Sequence, residues 1–234
     1  MNKKIFFWVT LFAIAMGFLE SAVVVYLRQL YYPAGFQFPL APIEPLIAHT
    51  EFWREAATIV MLAAVGFFCG TNKASRLAWF MYAFAIWDLF YYIFLKLILN
   101  WPDSLYTWDI LFLIPVPWVG PVIAPCIVSL SMIALALLIV FYNEKRQGIR
   151  LNKTDLFFFI SGSCICILSF CYDYLQQANS QHWWTIQSET ELFEEIKTYV
   201  PQQFNWALFW TGESLIIIGI IVFWTRSHLS VFNK

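Results

Sequence analysis

Six apolar runs divide this chain, at about 5–27, 51–70, 77–99, 121–142, 155–175 and 204–225, and each has the roughly 17–25 residues that an α-helix needs to cross a bilayer. None alternates apolar with polar positions, as the strands of a transmembrane barrel must. The expected fold is therefore all-α: a polytopic membrane helix bundle of six transmembrane helices, forming one membrane domain over residues 1–234. Composition agrees, since 61% of residues are hydrophobic and 12% charged, against about 45–50% and about 25% in soluble domains. Residues 1–15 have the outline of a cleavable signal, with Lys3 and Lys4 before an apolar stretch and Ala13-Ile14-Ala15. The hydrophobicity continues to Leu27, which favours an uncleaved first helix.

Loop charges orient the bundle. Lys3 and Lys4 precede the first helix, Lys73 and Arg76 follow the second, and Lys145, Arg146, Arg150 and Lys153 join the fourth to the fifth. Arg226 and Lys234 follow the sixth. The other three connections hold only Arg28 and Lys197, set against Glu44, Asp103, Glu189, Glu191, Glu194 and Glu195. Basic connections stay in the cytoplasm, so both termini are expected there, with the protein integral to the plasma (inner) membrane.

Between the third and fourth helices the chain is apolar yet broken. Residues 100–125 contain Pro102, Pro115, Pro117, Pro121 and Pro125, half of the ten prolines. Each lacks an N–H and clashes with the preceding turn, so no continuous helix holds them. Broken backbone at membrane depth has to be covered by neighbouring helices, which makes this a re-entrant or interfacial segment. Within it, Thr107 is placed to cap a short helix that carries Asp109 and ends before Pro115. Gly120 and Pro121 would open the fourth helix, with free N–H groups aimed into the bundle. Trp118 lies on the same segment. Thr50 and Thr154 are expected N-caps of the second and fifth helices. In the last outer loop, Ser188-Glu189-Thr190-Glu191 reads as a capping box opening an amphipathic helix over 189–200. His182-Trp183-Trp184 and Tyr199 suit an interfacial aromatic belt.

Ionisable groups inside a bilayer cost several kcal/mol unless paired or hydrated, so each marks a candidate site. At about 1.5 Å of rise per residue, Glu20, Arg54, Glu55 and Asp88 gather in the outer half of the bundle, and Glu213 lies near the midplane. Helical spacing puts Glu51, Glu55 and Thr58 on one face and Asp88, Tyr91, Tyr92 and Lys96 on another. Glu20, Val24 and Arg28 share a face of the first helix, with Gly17 one turn away to allow close approach. Trp206, Trp210 and Glu213 do the same on the sixth. Four deep carboxylates then face two deep cations, Arg54 and Lys96. Two readings compete: internal ion pairs such as Glu20–Arg54 or Asp88–Lys96 that hold the bundle together, or a polar pocket, which the excess of carboxylates favours.

Named chemistries find little support. His49, His182 and His228 do not face one another within the membrane, and no Glu-x-x-His pair builds a di-iron site. His49 with Glu51 or Glu55 is a poor single-metal set, and neither metal nor cofactor is expected. Cys69, Cys126, Cys164, Cys166 and Cys171 fall in apolar segments as small packing residues. A net charge of −1 leaves no footprint for nucleic acid. The expected partners are the lipid bilayer and a small amphipathic ligand or lipid.

The leading expectation is thus a pocket in the outer half of the bilayer that binds, and transports, a small amphipathic or charged ligand or a proton. Its candidate residues are Glu20, Arg54, Glu55, Asp88, Tyr91, Tyr92, Asp109, Trp118 and Glu213. The alternatives are a membrane-embedded enzyme acting on a lipid or isoprenoid by carboxylate acid/base chemistry, and an assembly subunit of a membrane complex.

Overall fold

The computed structural model describes residues 3–41, 43–145, 149–186, 188, 195 and 198–232. Among them six helices are long and apolar enough to cross a membrane: α1 (Lys3–Tyr31), α2 (Pro45–Cys69), α3 (Lys73–Leu99), α4 (Ile123–Lys145), α5 (Lys153–Ser180) and α6 (Trp206–Phe232). The protein is an integral multi-pass membrane protein. Its surface is apolar where lipid would lie, with Phe68 83% and Leu97 74% exposed. In that environment a helix satisfies its own backbone, which is why the six runs take this form.

Several helices begin elsewhere than expected, for local reasons. α2 opens at Pro45 rather than near Glu51, because proline fits the first helical position with its φ preset and no N–H to lose. Thr50 lies inside the helix, and its hydroxyl donates to Leu46 O at 2.7 Å. α5 is capped by Asn152 rather than Thr154: the Asp155 amide donates to Asn152 Oδ1 at 2.7 Å, and the Asn152 amide returns a bond to Asp155 Oδ2 at 2.9 Å. Asn72 and Ser75 form the same reciprocal box at the start of α3.

α3 is the centre of one half of the bundle, packing against α1, α2 and α4, whereas α1 and α2 hardly touch each other. α5 and α6 pack along each other, and α4 joins the halves through α6. A Cβ on Gly162 would lie 2.8 Å from Gly212 O, and one on Gly212 would lie 2.7 Å from Cys166 Sγ. Without side chains at these two positions, α5 and α6 approach closely, the small-residue packing that substitutes for a hydrophobic driving force between helices in lipid. Away from the hairpin described next, the main core is built on the alanine-rich face of α3, where Ala78 and Ala83 meet Ala13, Leu62, Ile139 and Phe223.

The proline-broken stretch is an antiparallel β-hairpin, not a short helix followed at once by α4. β1 (Trp108–Phe112) pairs with β2 (Trp118–Pro121) in the register Trp108↔Pro121, Asp109↔Gly120, Ile110↔Val119 and Phe112↔Trp118, with an irregularity between Ile110 and Phe112. A helix from Thr107 to Pro115 would span barely two turns and leave most of its terminal groups unpaired. Aromatic and β-branched residues favour paired strands, and pairing satisfies the same backbone groups. α4 then starts at Ile123 rather than Pro121. Two of the amides expected to be free are taken, since Val122 N donates to Thr107 O at 3.1 Å and Ile123 N to Leu105 O at 2.8 Å.

The expected amphipathic helix over 189–200 falls for the most part outside the described residues. The chain just after it is anchored on α5: Asp173 accepts from the Tyr199 hydroxyl at 2.8 Å and from the amides of Gln202 and Gln203. Trp183 and Tyr199 are 2% and 1% exposed, so they pack beneath the surface on Val119 and Tyr174 instead of joining an interfacial belt.

Candidate functional site

Close contact of α1 with α3 positions the first wall. A Cβ on Gly17 would meet Trp87 O at 3.0 Å, and one turn on, Ser21 Oγ lies 3.0 Å from Tyr91 O. Because α1 and α2 both dock on α3 and hardly touch each other, a space stays open between them. The hairpin closes one side through Asp109, Ile110, Leu111 and Leu113, and the segment after α1 covers it with Tyr32, Phe36 and Leu40. The resulting cavity has a volume of about 270 Å³, close to the roughly 300–1,000 Å³ range of small-molecule pockets.

Seven of the nine candidate residues line this cavity: Glu20, Arg54, Glu55, Asp88, Tyr91, Tyr92 and Asp109. Glu51 and Arg28 join them. Arg54 bridges α1 and α2, with Nη1 2.5 Å from Glu20 Oε2 and Nη2 2.8 Å from Glu51 Oε2. Arg28 Nη2 lies 3.3 Å from Asp109 Oδ1. Its guanidinium carbon sits 3.7 Å from the centroid of Trp101 and 4.6 Å from that of Phe36, two rings set nearly perpendicular to each other, so Arg28 is paired with a carboxylate and held over two aromatic rings. The Tyr91 hydroxyl adds a bond to Asp109 Oδ2 at 3.4 Å. Burial pushes the Asp109 carboxyl up to about 6, outweighing the pull of Arg28 in the other direction. Above the cavity, burial likewise raises the Tyr32 hydroxyl.

Two carboxylates stand apart from this pairing. Glu55 Oε2 accepts the Leu113 amide at 2.8 Å, and Asp88 Oδ2 accepts the Ser129 hydroxyl at 2.8 Å. Neither forms a salt bridge among the described residues. The expected Asp88–Lys96 pair does not form, because Lys96 turns to the end of its own helix and donates to Asn100 O at 3.2 Å and Pro102 O at 2.9 Å. The cavity therefore holds five carboxylates, those of Glu20, Glu51, Glu55, Asp88 and Asp109, against the guanidiniums of Arg28 and Arg54.

Trp118 and Glu213 lie elsewhere. β2 turns Trp118 away from the cavity onto Phe170, with ring centroids 6.2 Å apart and planes within 6°. Glu213 is fully buried on α6 in the other half of the bundle. Its Oε1 accepts from the Ser131 hydroxyl of α4, and its Oε2 has no partner among the described residues. Sequence spacing puts Arg28 on the face of Glu20, and Glu51 on that of Glu55, but Arg28 counts there among the charges of an outer connection and not among the site candidates. Its contact with Phe36 and Trp101 depends on two loops whose paths no local pattern encodes.

Among the described residues, no group of three or more His, Cys, Asp or Glu side chains is placed to hold a metal ion. Comparison of the chain with protein-family models, with curated proteins and with solved structures finds no match.

Proposed function

We propose that this membrane protein binds a small amphipathic ligand in the cavity between α1, α2, α3 and the hairpin, and carries it across the membrane. One observation supports the reading above the others. Glu55 and Asp88 line a largely apolar and aromatic chamber with only neutral hydrogen-bond donors on them, although a charge in that setting calls for a partner. Taken with the basic connections, which favour cytoplasmic termini, the cavity faces outward from the plasma membrane.

Flux in reconstituted vesicles tests this. A carrier loses flux in Glu20→Gln and Asp88→Asn while its unfolding curve persists, and native mass spectrometry finds a small molecule that leaves with the same substitutions. Unchanged flux in both variants refutes the role assigned to the cavity. Orientation is tested by a membrane-impermeant maleimide on Ser104→Cys in a background without the five native cysteines. Labelling of intact cells is expected, and labelling only after lysis refutes the assignment.

A second reading draws on Asp109, whose carboxyl is held near 6 between Arg28 and Tyr91. That lies close to the range in which a carboxyl exchanges protons at neutral pH, as an acid/base enzyme acting on a lipid or isoprenoid would need. Turnover of a membrane lipid extract in detergent, abolished by Asp109→Asn, would favour it. No turnover in the wild type would dismiss it.

A further inference from the structure

We propose that the ligand of this cavity is a monovalent organic cation, an ammonium on an apolar body, whose charge is answered by Glu55 and Asp88. The inference rests on the ligand-pocket reading above and names its chemistry.

Both guanidiniums in the cavity are already engaged. Arg54 is taken by Glu20 and Glu51, and Arg28 by Asp109 and by cation–π contact with Phe36 and Trp101. An anionic head group would find all three Arg54 nitrogens taken, and at Arg28 it would meet the unpartnered Nη1 on a guanidinium that Asp109 already neutralises. Glu55 and Asp88, in contrast, each have one oxygen bonded to a neutral donor and the other without a hydrogen bond among the described residues. Glu55 is 9% exposed, so its charge is buried against the cavity rather than dispersed in solvent. A charge-assisted hydrogen bond from an ammonium is the stronger counterpart for such an oxygen.

The walls favour an organic cation over an inorganic one. Trp87, Tyr91, Tyr92 and Phe36 bring aromatic rings to the cavity, and ring faces attract ammonium groups. Val24, Leu27, Leu40 and Leu111 provide apolar surface for a hydrocarbon body. A hard divalent ion would want six or more converging oxygens, and the described carboxylates make no such cluster.

Isothermal titration of the purified full-length protein in detergent, with n-hexylammonium, 1-hexanol and hexanoate as matched probes, tests the assignment. Hexylammonium is expected to bind at least about tenfold more tightly than hexanol, with hexanoate weakest, as one charge-assisted bond would give. In the double variant Glu55→Gln/Asp88→Asn, hexylammonium should fall to the affinity of hexanol, while hexanol itself is unchanged and so certifies the cavity. The single variants Glu55→Gln and Asp88→Asn should each lose part of the preference, which keeps the test decisive where the double variant does not fold. Glu213→Gln, outside the cavity, should retain the full preference. Equal or tighter binding of hexanol or hexanoate overturns the cation assignment and leaves the pocket reading standing. Binding of none of the three overturns both.

Discussion

Asp109 gives a direct measure of how far burial dominates this site. The side chain is 2% exposed, and its carboxyl stands at about 6 instead of the ordinary 3.8 although Arg28 is beside it. An acid whose folded value is raised holds its proton more tightly in the folded state. Its contribution to stability is fully present well below about 4 and is lost as the pH rises through about 6. The displacement from 3.8 to about 6, at about 1.4 kcal/mol per pH unit, amounts to about 3 kcal/mol. Asp109→Asn cannot titrate. It also leaves the Arg28 charge without its carboxylate partner, but that penalty is the same at every pH and does not affect the slope. Unfolding of the purified protein in detergent, followed by tryptophan fluorescence between about pH 4 and about pH 8, should show the wild type losing about 2 kcal/mol more than the variant across that window, the remainder falling below about pH 4. Parallel curves would refute the reasoning, because they would mean that Asp109 has the same proton affinity folded and unfolded.

Arg28→Met leaves Asp109 buried without its cation and removes both ring contacts, so it should cost about 3–5 kcal/mol above pH 7 in the same assay, and less near pH 4 where Asp109 is neutral. Arg28→Lys should fail to restore that loss, since a compact ammonium cannot reach Asp109 and both rings at once as the broad guanidinium does. Gly212→Leu forces a side chain against Cys166 and should destabilise the α5–α6 contact by about 1–3 kcal/mol, read as a lowered thermal midpoint. Asp173→Ala removes the acceptor of the Gln202 and Gln203 amides, and hydrogen exchange at those two residues should accelerate while exchange within α3 stays slow.

The six helices were legible because lipid imposes one strong rule, that apolar runs of sufficient length pair their own backbone. The cavity was partly legible for a similar reason. Carboxylates are rare in such runs, so Glu20, Glu55 and Asp88 stood out, helical spacing aligned Asp88 with Tyr91, and depth along the helices brought Arg54 to the level of Glu20. The hairpin was missed because prolines announce only that a helix is broken. Which alternative fills the break depends on partners brought from ten residues away, as Asp109↔Gly120 shows. Glu213 was grouped with the others by depth alone. Depth does not report which neighbours a helix has, and α6 packs on α4 and α5 rather than beside α1 and α2. Lys96 was assigned to Asp88 by spacing along one helix face, but the unpaired carbonyls beyond the end of α3 offered it nearer acceptors.

Ser129 and Ser131 stand two positions apart on α4, which places their hydroxyls about 200° from each other around the helix axis. One holds Asp88 on α3 and the other holds Glu213 on α6. α4 is therefore an axle with a polar contact on either side, one in the cavity half and one in the α5–α6 half. Turning it about its own axis strains both hydroxyl–carboxylate bonds together. The two acids share no cavity and no cation, yet a single rotation angle governs the surroundings of both.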